Sequence, residues 1–192
     1  VDWTGDLSGT ASVLSFPLTA PVTVNARFVE DDPFVVVTPT TLSITEGTTS
    51  TVAVTLSKAP PAPVSATIVR LSGDSDLSAA PTTLNFDSTN WNQPQTVTVS
   101  AAEDADAVPG TAVFQVSATA LQAASFTATE IENDARLTIV SGGNGSTVPT
   151  GVTVHPLGST VALSATPVTG YHFNGWLGDA AVPAAIATTI LM

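Results

Sequence analysis

Apolar residues alternate with polar ones in one segment after another along this chain. Val52, Val54 and Leu56 are separated by Ala53 and Thr55, and Val97 and Val99 by Thr98. Phe114, Val116 and Ala118, then Val161, Leu163 and Ala165, repeat the pattern, as do Val22, Val24, Ala26 and Phe28 near the start. Side chains of an extended strand point alternately to its two faces, so a period of two marks strands with one buried and one solvated face. Outward-facing threonine suits a pleated, solvated surface. No window carries a 3.6-residue period, and 14 prolines and 13 glycines punctuate the apolar stripes. An all-β chain is predicted.

Between residues 31 and 134 the pattern predicts seven strands: 34–37 together with 42–45, then 51–57, 64–71, 84–86, 96–100, 112–118 and 125–131. Seven short antiparallel strands in about 100 residues predict an immunoglobulin-like β-sandwich. In such a sandwich the connections alternate between two ends. The first, third and fifth connections and the exit of the last strand therefore share one end. They carry Glu46, then Asp74 and Asp76, then Glu103, Asp104 and Asp106, and finally Glu132 and Asp134. Glu130, Glu132 and Asp134 also continue, at spacing two, the inward stripe of Phe126 and Ala128. The opposite end is expected to receive the Pro-rich turn at 59–63, Asn90-Trp91-Asn92, Leu121 and the entering Glu30, Asp31 and Asp32.

Charge gives these positions a chemistry. Sixteen acidic residues stand against four Lys plus Arg, a net charge of −12, although only 10 % of the 192 residues are charged. Four scattered cations cannot supply the basic footprint that nucleic acid or an anionic membrane surface requires. No window approaches the apolar length of a membrane span, so no membrane insertion is expected. The first residues lack the basic start and apolar run of an export signal, which would then lie outside this sequence. The absence of cysteine excludes disulfides, thiolate metal sites and a Cys nucleophile. Two like charges about 4 Å apart repel by roughly 4 kcal/mol at an effective dielectric near 20. Half of the acids gathered at one tip are therefore costly unless solvated or neutralised by a cation. Oxygen donors on loops, without His or Cys, fit Ca²⁺ better than Zn²⁺ or a tightly octahedral Mg²⁺ site. A calcium ion held by Glu132 and Asp134 together with the fifth connection is expected to stiffen the joint near 132–136.

Catalysis has no evident carrier. His155 and His172 are the only histidines, and no Gly-x-Ser-x-Gly elbow is present, so no enzyme is expected. His172 reads as a strand residue flanking an aromatic core, residues 142–145 as a Gly-rich turn, and Trp3, Trp91 and Trp176 as structural anchors rather than a sugar-stacking surface.

One internal repeat is visible: Trp3-Thr4-Gly5-Asp6 recurs as Trp176-Leu177-Gly178-Asp179, 173 residues later, and Leu18 falls on Leu191 at the same offset. Leu137-Thr138-Ile139-Val140, the turn at 142–145, the stretch from Gly158 to Pro167 and Gly170-Tyr171-His172-Phe173-Asn174-Gly175-Trp176 resemble the divergent bacterial repeat named after the internalin B repeats. The segment 22–28 resembles the closing strand of that family. The expected organisation is the C-terminal part of one repeat module at 1–30, the sandwich at 31–134, and the N-terminal part of the next module at 135–192. The middle stretch, with Glu46-Gly47, Asn90-Trp91-Asn92 and Glu103-Asp104-Ala105-Asp106, is similar to the Calx-β domains of bacterial surface proteins. That resemblance implies Ca²⁺ at the acidic tip, carried mainly by Glu46, Asp104, Asp106 and Asp134. Together the two resemblances imply an extracellular, non-catalytic structural or adhesive segment of a tandem-repeat bacterial surface protein or filament. Its partners would be neighbouring copies of itself, covalent or head to tail, along with surface glycans or proteins. The alternative is an accessory carbohydrate-binding region of a large secreted glycan-degrading enzyme.

Overall fold

The computed structural model describes residues 2–5, 13, 15–17, 19–27, 32–180 and 184–192. Asp6, Leu18, Phe28, Glu30 and Asp31, which the sequence reading invoked, lie outside the described residues, as does the side chain of Trp3. All regular structure among the described residues is β, and none of it is a helix long and apolar enough to cross a membrane. The chain divides into two compact units, Val1–Pro33 and Phe34–Met192. In the first, β1 (Asp2–Gly5) and β2 (Val24–Arg27) pair antiparallel, with Trp3 opposite Ala26 and Gly5 opposite Val24.

The second unit begins with the sandwich. Its strands are β3 (Val35–Thr38), β4 (Thr41–Thr45), β5 (Thr49–Leu56), β6 (Val64–Gly73), β7 (Leu77–Ala80), β8 (Thr83–Phe86), β9 (Gln95–Ala101), β10 (Thr111–Ala118) and β11 (Ala124–Ile131). One sheet has the order β3-β5-β9-β7 and the other β4-β11-β10-β6-β8. Alternating side chains from both sheets fill the space between them. Val52, Val54, Val97, Val99, Phe86, Phe114, Val116 and Phe126 are all buried, each large apolar side chain contributing about 1.5–3 kcal/mol. Phe114 and Phe126, direct cross-strand partners, stack with ring centroids 5.1 Å apart.

Two features depart from seven antiparallel strands. The expected first strand is split between the sheets: β3 pairs with β5, whereas β4 crosses over and runs parallel to β11. Pro39, which has no N–H to offer a ladder, stands where the chain changes sheets. The change is visible in the burial parity, since Val35 and Val37 point inward on odd positions and Leu42 and Ile44 on even ones. The second departure is β7, an edge strand with Leu77 fully buried against β9, where a loop was expected. Its Leu-Ser-Ala-Ala sequence has no β-branched residue and one large apolar residue, too little to register as a stripe.

The remainder forms two smaller sheets. β12 (Asp134–Ile139) pairs with β14 (Gly151–Pro156), and β13 (Gly145–Val148), β15 (Thr160–Pro167) and β16 (Ala187–Leu191) follow the order β13-β15-β16. The Gly-rich turn at 142–145 precedes β13, with Gly143 and Asn144 both at positive φ. The buried apolar residues described here are Leu137, Leu163 and Ala165, a thin core beside that of the sandwich. His172 lies outside any strand, on an irregular exposed segment, which corrects its reading as a strand residue. Phe173 and Trp176 pack at 5.4 Å there, and Trp176 Nε1 donates to the Ala185 carbonyl at 3.0 Å. Trp91 packs against the sandwich core.

Candidate metal centre at the acidic tip

Inward stripes do not stop where the strands end. On β4 the sequence of inward residues runs Leu42, Ile44 and then Glu46; on β11 it runs Phe126, Ala128 and then Glu130. Period-two geometry thus delivers two glutamates to the same buried mouth of the sandwich, Glu46 at 2 % and Glu130 at 4 % exposure. Because β4 and β11 are parallel neighbours, with Ile44 opposite Glu130, the two stripes reach the tip together. Asp134, the first residue of β12, returns to the same place and is 9 % exposed.

The backbone around them is tied into one knot. Glu46 N–H donates to the Ile131 carbonyl at 3.0 Å, and the Glu46 Oε1 accepts from the Asp104 N–H at 2.5 Å. Asn133 Nδ2 donates to the Glu46 carbonyl at 3.3 Å and to Glu103 Oε2 at 3.2 Å. Glu130 Oε2 accepts from Gly110 N–H, and Glu132 Oε1 from Asp134 N–H, each at 3.2 Å. Gly47 holds φ at +71°, and a Cβ there would stand 2.6 Å from Glu103 Oε2. The left-handed backbone favours glycine here, and any larger residue would also make the Glu103 carboxylate shift.

What remains unpaired is on the carboxylates. Glu46 Oε2, Glu130 Oε1 and Asp134 Oδ1 are buried with no hydrogen-bond donor. Ligand oxygens of Glu46, Glu103 and Asp134 lie within 4.8 Å of one another. Burial pushes the Glu130 carboxyl above its ordinary range, opposed by the Gly110 N–H and reinforced by the charges of Glu46, Asp74 and Asp104. Burial likewise raises Glu132, with the nearby Glu46 carboxyl adding to it, and raises Asp76, with the charge of Asp74 adding. Burial is the leading cause in all three, and neighbouring negative charge adds to it.

Of the eight acids singled out in the sequence, Glu46, Glu103 and Asp134 form the tight cluster, and Glu132, whose Oε1 accepts from Asp134 N–H, stands beside it. Asp104 contributes its backbone N–H to Glu46, while its Oδ1 accepts from Asp106 N–H at 2.7 Å. Asp106 Oδ1 accepts from Val108 N–H at 2.7 Å, and Asp74 Oδ1 from Asp76 N–H at 3.0 Å. Asp74, Asp76 and Asp106 thus lie outside the three-carboxylate cluster, and Asp74 and Asp106 bond within their own loops. Glu130 was not among the eight, although its place on the Phe126 and Ala128 stripe marked it as inward. Asn133 carried no signal, because its role comes from bridging two loops distant in sequence.

Comparison with known proteins adds one likeness. Residues 135–192 match the family model of the divergent InlB B-repeat domain. The match starts one residue after the first residue of β12 and does not extend into the sandwich. No curated protein matches the chain.

Proposed function

We propose that this chain is a non-catalytic structural segment of an extracellular, tandem-repeat bacterial surface protein, in which Ca²⁺ at the sandwich tip stiffens the passage from β11 into the following repeat. The repeat character rests on the family likeness of residues 135–192. The ion rests on one observation: a glutamate 2 % exposed, Glu46, keeps a buried oxygen without a donor beside the carboxylates of Glu103 and Asp134. An all-oxygen donor set of several charges suits a hard cation of adaptable coordination. Glu46, Glu103 and Asp134 would hold it, with Glu132 and Glu130 completing the negative wall. The ion would supply the positive charge that these oxygens lack, cancelling their repulsion and fixing Asp134, and with it β12, against the β4 to β5 turn. The likeness of residues 33–134 to Calx-β domains, which rests on sequence motifs alone, agrees with this placement.

Calcium titration followed by thermal unfolding and limited proteolysis tests the reading. We expect a higher unfolding temperature and slower cleavage near 132–136 with Ca²⁺, reversed by chelator and absent in E46Q. An unchanged melting curve with no heat of binding would overturn it.

An adhesive contact with glycans would draw on a different place, a cavity of about 250 Å³ bounded by the 140–147 turn and by His172, Phe173, Asn174 and Trp176. Retention of the chain on a glycan array, lost in N174A, is the corresponding test.

A further inference from the structure

The repeated Trp-x-Gly-Asp segment has a strand partner in one copy and none in the other. Trp3, Thr4 and Gly5 lie in β1 and pair with Ala26, Asn25 and Val24 of β2. Trp176, Leu177 and Gly178, their equivalents, belong to no strand, and Leu177 is fully exposed. Beside them runs a second unpaired edge. β12 is hydrogen-bonded to β14 on one side and to no other strand among the described residues. The two edges frame a groove of about 440 Å³ whose lining includes Leu137, Ile139, Leu163, Trp176, Leu177 and Ile190. An open strand edge next to an apolar trough is the arrangement that accepts an added strand, the backbone supplying hydrogen bonds and alternate side chains filling the trough. The thin core of Leu137, Leu163 and Ala165 gives such an addition something to complete.

We infer that this groove is a strand acceptor and that its occupant is the β2 segment of a second copy of this sequence. The sequence around β2 has the required pattern: Val22, Val24, Ala26 and Phe28 alternate with Thr23, Asn25 and Arg27. The register is supplied by the first copy. Ala26 of the incoming strand would stand opposite Trp176, Asn25 opposite Leu177 and Val24 opposite Gly178, placing a small residue against the large indole and a branched one against the glycine. Because the segment joins copies head to tail, the contact is heterologous and propagates instead of closing. It rests on the tandem-repeat reading but is independent of calcium.

The probe is a synthetic peptide of residues 20–29 added to the full chain, followed by isothermal titration and amide hydrogen exchange in the presence of chelator. The expected result is saturable binding, with exchange of the amides of residues 135–139 and 176–179 slowed about tenfold or more. A peptide carrying Val24→Asp and Ala26→Asp, and a scrambled peptide of the same composition, should not bind. No saturable binding, equal binding of the scrambled peptide, or protection confined to the sandwich or to β14 would overturn the inference. Peptide binding with no calcium response would overturn only the metal reading, and the converse only the strand acceptor.

Discussion

Gly47 and Glu46 occupy adjacent positions and show how narrowly the tip is specified. Replacing Gly47 by Ala forces a left-handed backbone on a residue with a Cβ and displaces the Glu103 carboxylate from its place beside Glu46 and Asp134. We expect G47A to lose about 1–2 kcal/mol of stability in urea denaturation, together with any response to Ca²⁺. Replacing Glu46 by Gln keeps the shape and the acceptor for Asp104 N–H but removes one of several crowded charges. In chelator E46Q should be more stable than the parent by about 1 kcal/mol, the reverse of the usual outcome of altering a buried residue. The raised carboxyls of Glu130 and Glu132 set a pH dependence of definite sign. At mildly acidic pH the folded chain binds more protons than the unfolded one, so their contribution is present at low pH and lost as pH rises through the folded-state values. Asp87, lowered by the hydroxyl and N–H of Thr89, acts oppositely and loses its contribution as pH falls through its own depressed value. Metal-free stability should therefore peak on the acid side of neutrality, and saturating Ca²⁺ should flatten the neutral limb; denaturation at a series of pH values measures both.

At the level of strands, what was legible depended on whether a stripe was long enough to be seen. β5, β9, β10 and β11 each carry two or three buried residues at spacing two, and their positions and inward faces followed directly from the sequence. β7 escaped because burial of Leu77 is decided by β9 and by Arg70, whose Nη1 donates to the carbonyls of Asp74 and Leu77 at 2.7 and 2.9 Å. Leu77→Ala should cost about 2–5 kcal/mol although it lies in what reads as a loop. The crossing at Pro39 was legible in principle, as a switch from odd to even apolar positions between residues 37 and 42. Reading it requires knowing that two sheets face each other, which no local window contains. The same limit applies to the site: the convergence of four loop regions on one tip followed from strand order, whereas the choice of Glu103 over Asp106 for the tight cluster depends on loop turns that spacing does not encode.

For the chain as a whole, unequal cores imply unequal stability. The sandwich buries a continuous set of large apolar residues, while among the described residues the strands from β12 onward share three buried apolar residues. Amides of β13, β15 and β16 should exchange faster than those of β5, β9 and β10, and heating should melt the molecule in two steps, the strands from β12 onward first. Hydrogen exchange read by mass spectrometry and calorimetry would each reveal a single step if the parts unfold as one.

The parallel pairing of β4 with β11 bears on how the molecule answers a pull. The chain enters the second sheet at Thr41 and leaves it at Ile131, and the pairs run from Thr41 with Thr127 to Thr45 with Ile131. Tension applied through the two neighbouring segments is directed along these strands in opposite senses, so the ladder is loaded in shear and its bonds must fail together instead of unzipping in turn. Single-molecule extension should find the sandwich yielding at higher force than the strands from β12 onward.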